Sequence, residues 1–439
     1  MRNAGWLLSG HAISGTLSLA ALLIAARYLG PAQFGIIALI TTYVALVDRL
    51  LNFQTWQALI RFGAKANADA NAAAFRRLVK VCTLLDLGSA LLGAALAVTF
   101  ATTVASLIGL SGEAGHLMKL YSLVIAANLS GVPTAVLRLF DRFRLLAAYR
   151  VVQSAMTIAG VTLAWVANGG IGGVLLAMAG AQIAGYLFLL TCGWWVLADK
   201  GISGVWKEPV EGLRRDSPGL LGFVIWTNIE SSVKILRELD VFVVKALLSM
   251  EAVGFYHVAR KLASTMETAV APFYYAIYPE LARFSAKRRL MHFIRLMWQS
   301  AVTVGCLAGI GFVVFLILGN GILVFVLGDA YGVAYGVSAL CLLGSTIWSA
   351  AQPLSAAMFS LGQVRLVFLI HLATATFYII SLVPLLTSLG LTGAGIAYAL
   401  LHAIWAALAV FAVKAGLDKE SVTSPWSTEE PRQKEKSIV

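Results

Sequence analysis

Apolar stretches of about 20 residues, each bounded by charge, glycine or proline, follow one another along this chain, and few folds survive that constraint. A helix of that length crosses a hydrocarbon layer about 30 Å thick with every backbone polar group satisfied internally. The stretches predict about twelve such helices, near residues 6–29, 34–60, 78–108, 117–140, 146–168, 171–198, 218–248, 252–278, 293–319, 336–361, 366–387 and 393–415. Hydrophobic residues make up 59% of the 439 positions and charged residues 12%, too little polar surface for a string of soluble domains. The expected fold class is therefore an all-α polytopic membrane protein.

The basic residues are unevenly placed. Arg61, Lys65, Arg76 and Arg77; Arg142, Arg144 and Arg150; Lys200, Lys207, Arg214 and Arg215; Arg283, Lys287, Arg288 and Arg289; and Arg365 all fall at alternate turns. The positive-inside rule makes those turns cytoplasmic, and with them both termini. A net charge of +12 gathered in short loops points to anionic membrane lipids and excludes nucleic acid as a partner. The opposite turns are short, leaving no external domain. The run to residue 29 is too long for a signal-peptide core and reads as a retained first span. Cys82, Cys192, Cys306 and Cys341 lie in apolar runs without CxxC or Cys/His spacing, so neither a disulfide framework nor a metal site is expected. Trp6, Trp194, Trp195 and Trp206 fall near helix ends, the usual place of interfacial anchors.

Landmarks recur half a chain apart. Residues 30–35 (GPAQFG) answer 249–254 (SMEAVG) at a shift of 219, Pro133 answers Pro353 at 220, and Gly170–Gly173 answers Gly390–Gly393 at 220. The reading is two six-helix parallel repeats around a central cavity, related by an axis along the membrane normal. The expected parts are an N-terminal six-helix unit over 1–198, a cytoplasmic linker over 199–217, a C-terminal unit over 218–415 and a disordered cytoplasmic tail over 416–439. Pro133 and Pro353 are expected inside helices, each removing one backbone hydrogen bond and kinking its helix.

Charge inside such a bundle is costly, about 2.5–3.5 kcal/mol per group on insertion scales, so buried charges mark cavities or pair with one another. The densest set is 230–261, ESSVKILRELDVFVVKALLSMEAVGFYHVARK. If 218–248 is one helix, Glu230, Lys234, Arg237, Val241 and Lys245 follow at helical spacing, and the next helix carries Tyr256, Arg260, Ser264 and Glu267. Lys234, Arg237 and Arg260, with Arg49 opposite, are the candidate substrate-binding cations. Asp48, Glu230, Asp240 and Glu267 are candidates for ion coupling or charge balance. Mutual neutralisation, Glu230 with Lys234 and Arg237 with Glu238, is the competing reading. Asp86, His371 and His402 read as packed polar groups. No P-loop, HExxH or GxSxG is present, so no catalytic residue and no metal ligand is expected.

Residues 25–35, AARYLGPAQFG, resemble the ARxLGPxxFG turn of the polysaccharide-exporter (Wzx-type) flippases of the MOP superfamily. Residues 239–245 (LDVFVVK), 252–259 (AVGFYHVA) and 278–282 (YPELA) are similar to further motifs of that family. The resemblance carries over Arg27, Gly30, Pro31, Gly35, Asp240 and Gly254, as structural residues. The chain departs from the pattern at Val241, where a basic residue commonly follows the aspartate. The resemblance implies a MOP/MATE-like fold in a bacterial inner membrane and export of an undecaprenyl-diphosphate-linked oligosaccharide by alternating access. It implies no cofactor beyond a coupling ion, H+ or Na+, and other polysaccharide-assembly proteins as partners. A MATE-like small-molecule antiporter and a membrane glycan polymerase or ligase are the alternatives. The first calls for isolated acidic groups and the second for a large external loop.

Overall fold

The structure is a computed structural model that describes residues 2–53, 55–68, 71–233 and 237–423. Among them there is helix and connecting turn but no strand. Fifteen α-helices follow in order: α1 Arg2–Leu51, α2 Thr55–Ala68, α3 Ala72–Leu107, α4 Gly112–Ser122, α5 Gly131–Leu139, α6 Phe143–Val166, α7 Gly170–Asp199, α8 Leu213–Asp216, α9 Leu220–Val233, α10 Asp240–Leu247, α11 Met250–Ala286, α12 Leu290–Leu327, α13 Ala334–Ser360, α14 Val364–Leu389 and α15 Leu391–Thr423. Nine stretches among the described residues are long and apolar enough to cross a membrane. The first of these, Ser9–Ala64, contains the Gly30 turn and so carries two expected helices. The expected helices outside the nine are the charged pair over 218–248 and 252–278.

Large apolar side chains face outward. On α12, Ile310, Val313, Ile317, Leu318 and Phe325 are exposed, as Leu91, Leu92, Phe100 and Leu107 are on α3. An apolar exterior of this extent belongs in lipid. Contacts between helices use small residues instead: Ala94, Ala97, Ala101 and Ala105 bury one face of α3, and Ala25 and Ala26 sit in the same core. Small side chains let helix backbones approach closely where lipid supplies no hydrophobic drive.

Local chemistry sets the ends. Gly30 turns the chain at φ 71°, and Pro31 opens the second arm of α1, where its missing N–H costs nothing. At the corresponding turn in the second half, Ser249 caps α11 by accepting from the Ala252 N–H at 3.2 Å. Asn71 caps α3 in the same way at 2.9 Å. The two turns meet: a Cβ on Gly35 would strike the Met250 carbonyl, and one on Gly254 the Pro31 carbonyl. α1 and α11 therefore cross backbone to backbone at this end, called the Gly30 end below. The connections rich in Arg and Lys lie at the other, basic end.

Three expected helices are interrupted. The 34–60 segment ends α1 at Leu51 and restarts as α2 at Thr55; 117–140 passes through a 3-10 turn, Leu123–Ala127, before α5; and 218–248 divides into α9 and α10. Asp86 of α3, 3% exposed, joins two of these restarts, accepting from the Thr55 hydroxyl and from the Val132 N–H at 3.0 Å. Pro133 consequently stands in the first turn of α5 rather than inside a helix, which corrects the expected kink there. Pro353 lies within α13 as expected, and Pro384 within α14.

The segment between α7 and α9 lies strapped along α3. Arg77 donates to the Pro209 carbonyl at 2.8 Å and pairs with Asp216; Arg76 meets Glu208 at 2.9 Å; Lys80 donates to the Trp206 and Glu208 carbonyls. Trp206 stacks on Trp194 of α7. Residues 424–439 of the expected tail lie outside the described residues.

Candidate functional site

One stripe of α11 organises the interior. His257, Arg260, Lys261, Ser264 and Glu267 recur at three- and four-residue spacing and line a cavity of about 480 Å³. Facing them are Thr41, Thr42, Ala45 and Asp48 of α1, Gln182 and Tyr186 of α7, and Tyr121, Val124, Ile125 and Asn128 around the 3-10 turn. Arg237, Glu238 and Asp240 enter from the break between α9 and α10, and Tyr398 from α15. Polar groups gather where helices are broken because the freed backbone needs partners and the cavity supplies room.

The charges pair differently from the sequence expectation. Asp240 is fully buried, accepts from the Tyr256 hydroxyl at 2.6 Å and the Tyr378 hydroxyl at 2.7 Å, and forms an ion pair with Arg260 Nε at 3.2 Å. Arg260 also lies over the Tyr398 ring at 4.4 Å. A basic residue directly after Asp240 is thus replaced by one a full helix away. Glu267 accepts from Ser345 at 2.9 Å and Tyr398 at 2.6 Å. Asp48 accepts from Asn128 at 2.8 and 3.0 Å and lies 3.4 Å from the Asn52 amide. Arg49, expected to face the substrate, is not part of the cavity lining and pairs instead with Glu238, which is.

The Arg237–Glu238 pair of the competing reading is therefore not formed: Glu238 takes Arg49, and Arg237 meets His402 Nε2 at 3.3 Å. Residues 237–239 form 3-10 and turn backbone ahead of α10, so the single helical face expected to join Glu230 to Lys245 is broken there. Lys234 and the Glu230 side chain lie outside the described residues. Gly30, Pro31, Gly35 and Gly254 shape the turn and the crossing of α1 with α11.

Lys261, the last residue of the charged run 230–261, is not among the candidate cations of the sequence, yet it lines the cavity and its ammonium makes no hydrogen bond or ion pair among the described residues. Its i,i+4 relation to His257 and the neighbouring Arg260 was the available signal. Asn128, Gln182 and Tyr186 carried no charge to draw attention. His402 belongs with Arg237, and His371 packs with Trp348 and Trp405. Among the described residues of the lining, three cations (Arg237, Arg260, Lys261) meet four carboxylates (Asp48, Glu238, Asp240, Glu267), so this lining is charge-mixed rather than uniformly basic.

A sequence profile described as "Polysaccharide biosynthesis protein" matches residues 1–285, well over half of the chain. The chain belongs to that family. A curated relative, an Escherichia coli (strain K12) protein described as "Inner membrane protein YghQ", is 28% identical over 344 residues, 76% of this chain and 94% of its own. Among solved structures, the lipid II flippase MurJ in an inward closed conformation superposes with a TM-score of 0.71 at 14% identity, over 93% of this chain and 87% of its own. A multidrug-resistance MATE transporter of the MOP superfamily, inward-facing, superposes at 0.68 and 14% identity, over 93% and 95%. A MOP superfamily transporter of Pyrococcus furiosus, described as having a binding pocket of reversed polarity, gives 0.61 at 12%, over 96% of each. The family member described here thus has the MATE/MurJ-like fold, as its sequence motifs imply, and is a multi-pass membrane protein.

Proposed function

We propose that the protein carries an undecaprenyl-diphosphate-linked oligosaccharide from one leaflet of the inner membrane to the other without altering its bonds. The observation that carries this reading is the pair Lys261 and Arg237. Lys261 has no partner among the described residues, and the described partner of Arg237 is an imidazole, not a carboxylate. Phosphate oxygens accept charge-assisted hydrogen bonds from such groups. The amides and hydroxyls of Asn128, Gln182, Thr41 and Tyr186 suit sugar hydroxyls. A cavity of about 480 Å³ holds a headgroup but not a long polyprenyl chain, which stays in lipid between helices. Membership of a polysaccharide biosynthesis family supports the substrate class.

In this reading both termini and the basic end face the cytoplasm, H+ or Na+ drives the cycle, and polysaccharide-assembly proteins supply and consume the substrate. Asp48 and Glu267 are held by neutral donors, which favours one rival, antiport of a small organic cation. The deciding experiment is reconstitution in vesicles with a fluorescent polyprenyl-diphosphate sugar. Protein-dependent movement that Lys261→Ala removes supports the proposal; movement of an organic cation with no effect on the lipid-linked sugar overturns it.

A further inference from the structure

A second cavity, of about 690 Å³, opens at the basic end of the bundle, and its lining shares no residue with the central one. Trp6 of α1, Asp141, Arg142, Arg144, Leu145 and Ala148 around the start of α6, and Trp195 near the end of α7 surround it. Each arginine lies over an indole: Arg144 is 5.1 Å from the Trp6 ring and Arg142 5.7 Å from the Trp195 ring. Arg142 is also paired with Asp199 at 3.0 Å. Asp141 has an interaction of its own. Arg144, in the first turn of α6, has no carboxylate partner among the described residues and adds to the positive end of that helix.

Both indoles are exposed, Trp6 at 42% and Trp195 at 56%. Exposed tryptophans at the end of an apolar helix sit at headgroup level. The anion present at that level is the phosphodiester of membrane phospholipid, which attracts basic side chains at the surface. A guanidinium held over an indole is already partly positioned, so less freedom is lost on meeting phosphate oxygens. Leu145 and Ala148 give an apolar wall where the first methylenes of the acyl chains would lie. From this arrangement we infer that the cavity binds the headgroup phosphate of an anionic phospholipid. The site is one for a resident lipid, apart from the transported substrate, and it does not depend on what the central cavity carries.

The test is native mass spectrometry of the full chain from mixed micelles containing phosphatidylglycerol, phosphatidylcholine of the same acyl chains, or undecaprenyl diphosphate. Wild type should retain phosphatidylglycerol in preference to phosphatidylcholine, and Arg144→Gln should lower that occupancy about fivefold, with Arg142→Gln lowering it further. Arg215→Gln with Arg283→Gln, the same change in net charge at exposed sites elsewhere, should leave retention unchanged. Ala148→Trp, which fills the cavity and keeps both arginines, should abolish the preference even if an arginine variant proves unstable. Equal phosphatidylglycerol retention by wild type and the Arg142→Gln, Arg144→Gln double variant, equal loss in the Arg215, Arg283 control, or retention of undecaprenyl diphosphate in place of phosphatidylglycerol would each overturn the assignment.

Discussion

Replacing Gly35 by alanine should shift the whole molecule away from the arrangement seen here. The added Cβ would collide with the Met250 carbonyl and lie 3.2 Å from the Gly254 nitrogen, both backbone atoms that cannot rotate aside. Relief requires α1 and α11 to part at the Gly30 end. Overpacking of this kind costs about 1–3 kcal/mol, which moves a two-state equilibrium by about 5- to 150-fold toward the parted form. Gly254→Ala should act in the same direction, since its Cβ would meet Pro31 backbone atoms. The two substitutions share one contact, so their effects should be less than additive. Gly180→Ala, with nothing within 4 Å of the new Cβ, is the matched control. Spin labels at Leu107 and Val333, both strongly exposed near this end, report the separation by pulsed electron resonance. Longer distances in both variants but not in the control are expected. A Gly35→Ala distribution superposable on that of wild type would refute the claim that this crossing holds α1 and α11 together.

Three further outcomes follow from the site. Lys261→Gln should reduce transport of a polyprenyl-diphosphate sugar roughly ten- to a hundredfold, the worth of a charged hydrogen bond, at unchanged abundance; normal transport would remove Lys261 from the site. Asp240→Asn should cut abundance, because it leaves the buried charge of Arg260 without its carboxylate at a cost of about 3–5 kcal/mol, and Asp240→Asn with Arg260→Gln should recover much of it in a membrane-fraction immunoblot. The Arg49–Glu238 pair is 39% and 29% exposed, so Glu238→Gln should change thermal stability by no more than about 1 kcal/mol, and joining it to Arg237→Gln should restore nothing that Arg237→Gln alone loses.

What the sequence reveals here follows from which signals are local. The α11 stripe is legible because helical periodicity places Arg260, Ser264 and Glu267 together whatever the tertiary fold. The Gly30–Pro31 turn is legible because few other pairs permit a positive φ followed by a helix start. The interruptions at 52–53 and 123–130 are not, since Asn52 and Asn128 are as compatible with a continuous span as with a broken one until Asp48 and Asp86 are seen to engage them or their neighbours. Partners distant in sequence were equally hidden: Glu238 meets a residue 189 positions away and Tyr378 reaches Asp240 across 138. Neighbouring opposite charges invited the pairing Arg237–Glu238, and the break before α10 sends the two side chains to different helices.

The strap along α3 also determines where the chain can turn. Most of the expected linker is fastened to α3 and α7 by Arg76, Arg77, Lys80 and the Trp194–Trp206 stack. What remains before α9 is Ser217, Pro218 and Gly219, with Gly219 at φ 80°. A proline limits one torsion of that short stretch and a glycine frees the next. Any swing of α9–α15 against α1–α7 is therefore conveyed through a joint three residues long, a swivel rather than a slack tether. Lengthening the chain around Gly204 should leave the swivel's torque intact, whereas one extra residue beside Gly219 should uncouple the two sides.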